Sequence, residues 1–416
     1  MRFPTPRFTI PLAIAISMPA SLSAQALPAP STNEGTPVSV RWNRLVPRFA
    51  EQAAASRRAA RAAAAGDSGA LRRIAQTQPP MPFRVYTVLS VAQYAASNSA
   101  RDQKRLSPEA AVASASAFVL GEMFPDSAVH VSIERELARD LESARGKSGA
   151  DRTAAAKQLG QTAARRTIAS SPSMNLVAPW RGTIPTGPGM WYSAPGLPPI
   201  GIALASTRGW LLDSASQFRP GPPPAYGSRE FEAGLDEVRR IARARTTEQT
   251  RIAQLWDSSD PWARWNDDAS AAIRRHRMSE TQAARVLAVL NVAASDAIVA
   301  CFEAKYHYWF IRPSQADTTL ALADSIGLPN FPSYPSGHAC SAGAFDGALS
   351  HFFPHERAEF KRVAEEQAMS RLYGGIHYRF DNDGGLELGR VVARYVVERE
   401  KRGAFNGLAS GVARRP

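Results

Sequence analysis

SETQAARVLAVLNVAASDAIVACFEAKYHYWFI, residues 279–311, decides the fold. Ser279 is placed as a helix N-cap, and Ala, Val and Leu recur on a stripe suited to burial. The stretch predicts one long helix, or two end to end, closed by Arg312-Pro313, where the proline ends the helix or fixes its exit. Downstream, 338–353, 357–372 and 384–400 read as further helices. Upstream, helices resume at Ser228-Arg229-Glu230-Phe231, and residues 42–170 are alanine-dense, with Ser107-Pro108-Glu109 as a helix start. Within this region Glu51 to Arg73 reads as a solvated surface helix, because it lacks large apolar residues on one face. Strand patterns are scarce and no internal repeat is visible. The expected class is all-α: helical bundles in two bundle-like units, with the functional site in the C-terminal one.

Between these helical parts, residues 171–226 are rich in proline and glycine, as in Pro185-Thr186-Gly187-Pro188-Gly189. A loop this long is functional or wraps a domain. Trp180, Trp191, Trp210 and Phe218 give it anchors, so it should be packed. The expected organisation is a signal segment at 1–26, a disordered linker at 27–41, and an N-terminal helical unit with its wrapping segment at 42–226. A catalytic helical unit follows at 227–402, then a frayed tail at 403–416.

The first residues resemble a secretory signal. Arg2 and Arg7 precede the mostly apolar stretch Phe8 to Leu22, and Ala24-Gln25-Ala26 fits a cleavage site. A mature chain starting near Leu27 is expected in a periplasm or outside the cell, with no membrane span. The net charge of +13 suits attraction of anions. No nucleic-acid motif accompanies it. The two cysteines, Cys301 and Cys340, cannot make a disulfide scaffold and read as small buried groups, although export permits a bridge. Oligomeric state is not legible.

Three ordered segments carry the chemistry: Lys305 with Arg312-Pro313, then Pro335-Ser336-Gly337-His338, then Ser370-Arg371 with His377 and Asp381. Lys305 and Arg312 are seven apart, about 20° and roughly 10.5 Å on a helix face, so one face could offer two cations to one anion. Embedded in an aromatic run, such bases need an anion or carboxylate partner. Gly337 lets backbone N–H groups approach an anion at a helix start. Ser336 can donate its hydroxyl and His338 can exchange protons. Asp381, four beyond His377, can hold the imidazole Nδ1–H and leave Nε2 free as nucleophile or ligand. Together these groups suit a tetrahedral oxyanion, phosphate or vanadate. Asp296 and Glu303 precede the cations and could support them. His130, His276, His307, His351 and His355 read as structural.

The strings at 305–313, 331–338 and 377–381 resemble the superfamily that joins vanadium-dependent haloperoxidases and type 2 phosphatidic acid phosphatases, and look more like the haloperoxidase branch. The resemblance covers about 280–390, and Gln217-Phe218-Arg219-Pro220 extends it loosely into the irregular segment. It implies that Lys305, Arg312, Arg371, Ser336 and the Gly337 amide hold the oxygens of vanadate. It also implies that His377 coordinates vanadium and that His338 is the acid–base group. Phe331, seven before His338, stands where halide preference varies and resembles the chloride type. The spacing from Arg312 to Ser336 is short compared with many haloperoxidases, which implies a more open site.

Two chemistries fit. A haloperoxidase would use vanadate, hydrogen peroxide and halide. An acid phosphatase would need no cofactor: His377 would attack a phosphate ester and His338 would protonate the leaving alkoxide. A non-catalytic phosphate-binding helical module is a third reading, and it predicts missing site residues, of which there are none.

Overall fold

The computed structural model describes residues 35–64, 67, 81–103, 106–173, 180–258 and 260–410. The signal segment lies outside them, as does most of the expected linker. The described helices are α1 (Val38–Ala63), α2 (Pro82–Asp102), α3 (Pro108–Met123), α4 (Ser127–Ser148), α5 (Ala150–Ser170), α6 (Arg229–Arg243) and α7 (Thr247–Ser258). They continue as α8 (Pro261–Arg275), α9 (Glu280–Tyr308), α10 (Pro313–Ala316), α11 (Gly337–Phe352), α12 (Arg357–Tyr373), α13 (Arg379–Lys401) and α14 (Ala404–Ser410). Among the described residues there is no strand, only an isolated antiparallel bridge between Met190 and Phe310. The all-α expectation holds.

The helix starts lie where cap chemistry puts them. Ser107 accepts from Ala110 N–H, with Pro108 at the first helical position. Ser228 accepts from Phe231 N–H. Ser279 and Gln282 form a reciprocal capping box, so α9 begins as expected and runs as a single helix. It is packed against α2, α11 and α13. By length and composition α9 could cross a bilayer, but it is almost wholly buried among the other helices and is a core helix. The exposed second half of α1 is the expected solvated surface helix as far as Ala63.

Four expectations need correction. From Thr36 onward the described residues cluster as one compact unit, with no break among them near 226. The reason is α9, whose side chains share one apolar cluster with α2 and α3 on one side and with α11 and α13 on the other. Val38–Arg41 are not linker: they open α1, with the buried Glu280 carboxylate accepting Val38 and Ser39 N–H groups. Part of the expected frayed tail is α14, fastened by buried Phe405 and Leu408, with the Phe405 ring 5.8 Å from Tyr94. Finally, α9 stops at Tyr308. Trp309 takes a left-handed conformation (φ 50°) with its N–H on Lys305 O, so Arg312 lies beyond the helix. Lys305 and Arg312 therefore do not share a helix face.

The described part of the irregular segment is packed as expected. Trp191 and Trp210 are buried. Trp191 N–H donates to Trp309 O at 2.7 Å, and Ile311 N–H to Gly189 O at 3.0 Å. Asp296 and Glu303 act here rather than at the anion site. Asp296 accepts from the N–H groups of Trp210, Leu211 and Leu212 at 2.6, 2.8 and 3.2 Å. Glu303 pairs with Arg219, whose Nε lies 2.9 Å from Oε2. On the opposite flank α11 and α13 approach backbone to backbone. A Cβ on Gly343 would sit 2.2 Å from Leu386 O, and one on Gly389 2.2 Å from Cys340 O. Those glycines bring the start of α11 against the start of α13.

Candidate active site

The loop from Phe331 to Ser336 organises the cations. Lys305 leaves α9 fully buried, and its Nζ donates to Pro332 O and Ser333 O, both at 2.8 Å. Arg312 is equally buried. Its Nε donates to Phe331 O at 2.9 Å and its Nη1 to Ile376 O at 2.7 Å. The Phe331 ring lies under both, 5.0 Å from Lys305 Nζ and 5.0 Å from Arg312 Cζ. The two cations thus converge through a shared loop and ring. Burial pushes the Lys305 ammonium down to about 8 and Arg312 down to about 10.

Ser336 is the N-cap residue of α11 but makes no capping bond. Its buried hydroxyl has no partner. Gly337 follows, and a Cβ there would meet nothing within 4 Å. Arg312 Nη2 is also buried and unpartnered. Unmatched buried donors of this kind are costly unless something completes them. One guanidinium nitrogen, one hydroxyl and the open start of a helix are the complement of an oxyanion.

His377 precedes α13 rather than lying in it, so it does not share a helical turn with Asp381. The contact expected of the pair forms all the same. Asp381, at the third position of the helix, accepts from His377 Nδ1 at 2.8 Å and from Tyr378 N–H at 3.1 Å. Nε2 then carries the lone pair, 3.5 Å from Arg312 Nη1. Burial, then the charges of Arg312, Lys305 and Arg371, then His338, hold His377 well below its ordinary pKa. The three sequence segments meet here: Arg312 Nη1 lies against His377 Nε2, and Ser336 N–H donates to Asp381 O at 2.9 Å. Asp381 is raised to about 6 by burial, against the opposing pull of Ser333 and Lys305.

Two site members rest on α7, which sequence spacing did not connect to them. Arg371 donates from Nη1 to Asp257 Oδ1 at 2.9 Å, from Nη2 to Ala253 O at 2.9 Å and from Nε to Ser370 Oγ at 3.0 Å. His338 Nε2 lies 3.2 Å from Trp256 O. Burial, then Arg371, keeps His338 well below its ordinary pKa. Sequence spacing did not single out Ser333 either: its hydroxyl donates to Asp381 Oδ2 at 2.5 Å. Cys301 and Cys340 are buried free thiols, with Cys301 Sγ 3.7 Å from Pro335 O.

Residues 285–402 match the family model described as PAP2 superfamily. The lipid A 1-phosphatase of Rhizobium johnstonii is 41% identical over 69 residues, which is 17% of this chain and 28% of that protein. The vanadium-dependent bromoperoxidase of Ascophyllum nodosum is 30% identical over 115 residues, 20% of this chain and 21% of that protein. The chain thus aligns with about a quarter of the length of these relatives. Solved structures match far more of it. A bacterial vanadium-dependent iodoperoxidase superposes with a TM-score of 0.63 at 24% identity, covering 77% of this chain and 91% of that one. An apo bacterial vanadium-dependent chloroperoxidase gives 0.62 at 14% identity, covering 77% and 94%. Residues 285–402 therefore carry the PAP2 superfamily pattern, and the chain has the all-α fold of the bacterial vanadium haloperoxidases.

Proposed function

We propose that this protein is a vanadate-dependent haloperoxidase-like enzyme that converts halide, hydrogen peroxide and one proton to hypohalous acid and water. The observation that carries the reading is the incomplete cradle: Arg312 Nη2 and Ser336 Oγ, buried without partners, beside the open Gly337 and an imidazole whose Nδ1 is already committed. That donor set fits vanadate. Lys305, Arg312, Arg371, Ser336 and the Gly337 N–H would hold its oxygens, and His377 Nε2 would bind the metal. When bound, vanadate activates peroxide for two-electron oxygen transfer without changing its own oxidation state.

The protein supplies charge and proton handling. The three buried cations stabilise negative charge where the surrounding protein leaves little room for screening. Lys305, anchored by two carbonyls, keeps a third N–H for the anion's oxygens. Asp381 fixes the His377 tautomer. His338, tied to Trp256 O, is neutral near pH 7 before the anion arrives, and the anion's negative charge raises its basicity so that it can take and return a proton. Phe331 presents an aromatic hydrocarbon beside the cations, where the halide would approach, and we take it as the halide-preference residue. The basic and apolar start of the chain supports export.

A second reading, phosphomonoester hydrolysis through a phosphohistidine on His377, is supported by the match to the lipid A 1-phosphatase. Paired assays on purified protein separate the two. One arm supplies orthovanadate, peroxide and bromide with a halogenation reporter; the other supplies p-nitrophenyl phosphate without vanadate. Vanadate-dependent halogenation with little phosphatase turnover is expected. Phosphatase turnover that vanadate inhibits, with no halogenation, makes the second reading correct.

A further inference from the structure

Ser333 stands at a junction no other site residue occupies. Its carbonyl accepts from Lys305 Nζ at 2.8 Å, and its N–H donates to Phe310 O at 2.9 Å. Its hydroxyl donates to Asp381 Oδ2 at 2.5 Å and lies 3.4 Å from His377 Nδ1. The residue is fully buried. The backbone of Ser333 thus belongs to the clamp on the cation, while its side chain belongs to the support of the imidazole.

Having given its proton to Asp381, the Ser333 oxygen has lone pairs to offer. The proton on Nδ1 of His377 then faces two acceptors, Oδ2 of Asp381 and Oγ of Ser333, on one side of the ring. A single carboxylate contact leaves the ring free to rock about that bond. A second acceptor off the first axis restricts the rocking and points Nε2 in one direction, beside Arg312 Nη1. Asp381 Oδ1 makes no hydrogen bond, so all the orientation comes through Oδ2, the oxygen Ser333 holds.

We propose that the Ser333 hydroxyl is a positioning residue: it aims His377 Nε2 at the bound oxyanion and couples that aim to the loop that clamps Lys305. The inference rests on His377 acting through Nε2, which both readings of the function share. It predicts a difference between two anions. Orthovanadate, which takes a bond from Nε2, depends on the aim of the ring; inorganic phosphate, clasped by the cations and the helix start, does not.

The test uses the full chain and Ser333→Ala, which deletes one oxygen and leaves both backbone contacts. Calorimetric titration with orthovanadate and with inorganic phosphate gives two dissociation constants. Orthovanadate affinity is expected to fall about tenfold, as for loss of a hydrogen bond to a charged group, while phosphate affinity stays within about twofold. The anion-free protein gives a second readout in proton NMR. The low-field Nδ1–H resonance of His377 should persist in wild type and broaden or vanish in Ser333→Ala. Ser333→Thr, which keeps the hydroxyl, should restore both. Equal losses for the two anions, unchanged orthovanadate affinity, or a retained sharp resonance in Ser333→Ala would each overturn the proposal. Wild-type protein that binds phosphate but not orthovanadate would sink the haloperoxidase reading instead, and the resonance would still judge Ser333.

Discussion

Asp381→Asn should make this protein more stable and less able to hold its anion, with the gain confined to neutral and alkaline pH. The carboxyl is wholly buried, and burial lifts its pKa from 3.8 to about 6. An acid raised in the folded state favours folding fully below its unfolded pKa and loses that contribution as pH rises through the folded value. The two values differ by about 2, and at about 1.4 kcal/mol per pH unit the ionised carboxylate costs about 3 kcal/mol at pH 8. Asparagine removes that cost. Its oxygen can take the place of Oδ2, facing Ser333, His377 and Tyr378, and its nitrogen that of Oδ1, which makes no hydrogen bond. Hydrogen bonds to a neutral acceptor are weaker, which returns about 1–2 kcal/mol. The net expectation at pH 8 is a gain of about 1–2 kcal/mol.

Function should move the other way. A neutral amide holds the His377 Nδ1–H less firmly and no longer balances positive charge at the imidazole. Loss of such outer support costs about 10–100-fold in ligand affinity. The assay pairs thermal melts at pH 4 and pH 8 with orthovanadate titration at pH 8. A higher melting temperature than wild type at pH 8, absent at pH 4, together with at least tenfold weaker binding, is the expected result. A variant destabilised equally at both pH values would refute the burial reasoning. Retained orthovanadate affinity would refute the role given to the His377–Asp381 pair.

Other consequences are equally direct. Lys305, pushed down to about 8 by burial, is an ammonium below that pH and neutral above it, so phosphate affinity should fall about tenfold per pH unit above about 8 in calorimetric titrations. Gly343→Ala places a methyl group 2.2 Å from Leu386 O, a rigid backbone atom, and should destabilise by about 3 kcal/mol, read as a lowered melting temperature. Glu303→Gln weakens the tie to Arg219 and should cost about 1–2 kcal/mol, with limited proteolysis between 180 and 226 accelerated before the helices are cut.

Much of the fold was legible because helix signals are local. Ser107-Pro108, Ser228 and the Ser279–Gln282 box mark their helices by chemistry that lies within four residues. The end of α9 was less legible. Apolar residues continue to Ile311, and nothing local announces that Trp309 turns left-handed. Its neighbours' partners are Gly189, Met190 and Trp191, more than a hundred residues away. The site followed the same division. Lys305, Arg312, Ser336, His338, Arg371, His377 and Asp381 were visible as three spaced segments, whereas Asp257 and the Trp256 carbonyl belong to a helix about eighty residues upstream of His338. Ser333 lies within 331–338, yet only tertiary contact with Asp381 gives its hydroxyl a task.

The division between haloperoxidase and phosphatase is therefore best sought outside the cradle. Three buried cations, a free hydroxyl, a helix start and an oriented imidazole serve any tetrahedral oxyanion, and the PAP2 match over 285–402 spans that equipment. The segment 180–226 lies beyond the match, yet it is fastened at several points to the elements that carry the cations. Asp296 and Glu303 hold it along α9, Gly189 and Trp191 bind it to residues 309–311, and Asn330 accepts from Ala194 N–H at 2.9 Å just before Phe331. Phe331 in turn lies under Lys305 and Arg312. On the proposed function, a second molecule that must reach the anion, halide in one chemistry and water in the other, would approach it past Phe331 and the segment tied to it. On that reading the cradle selects the anion. Access to it then falls to a stretch of chain whose proline and glycine content leaves its shape to tertiary contacts.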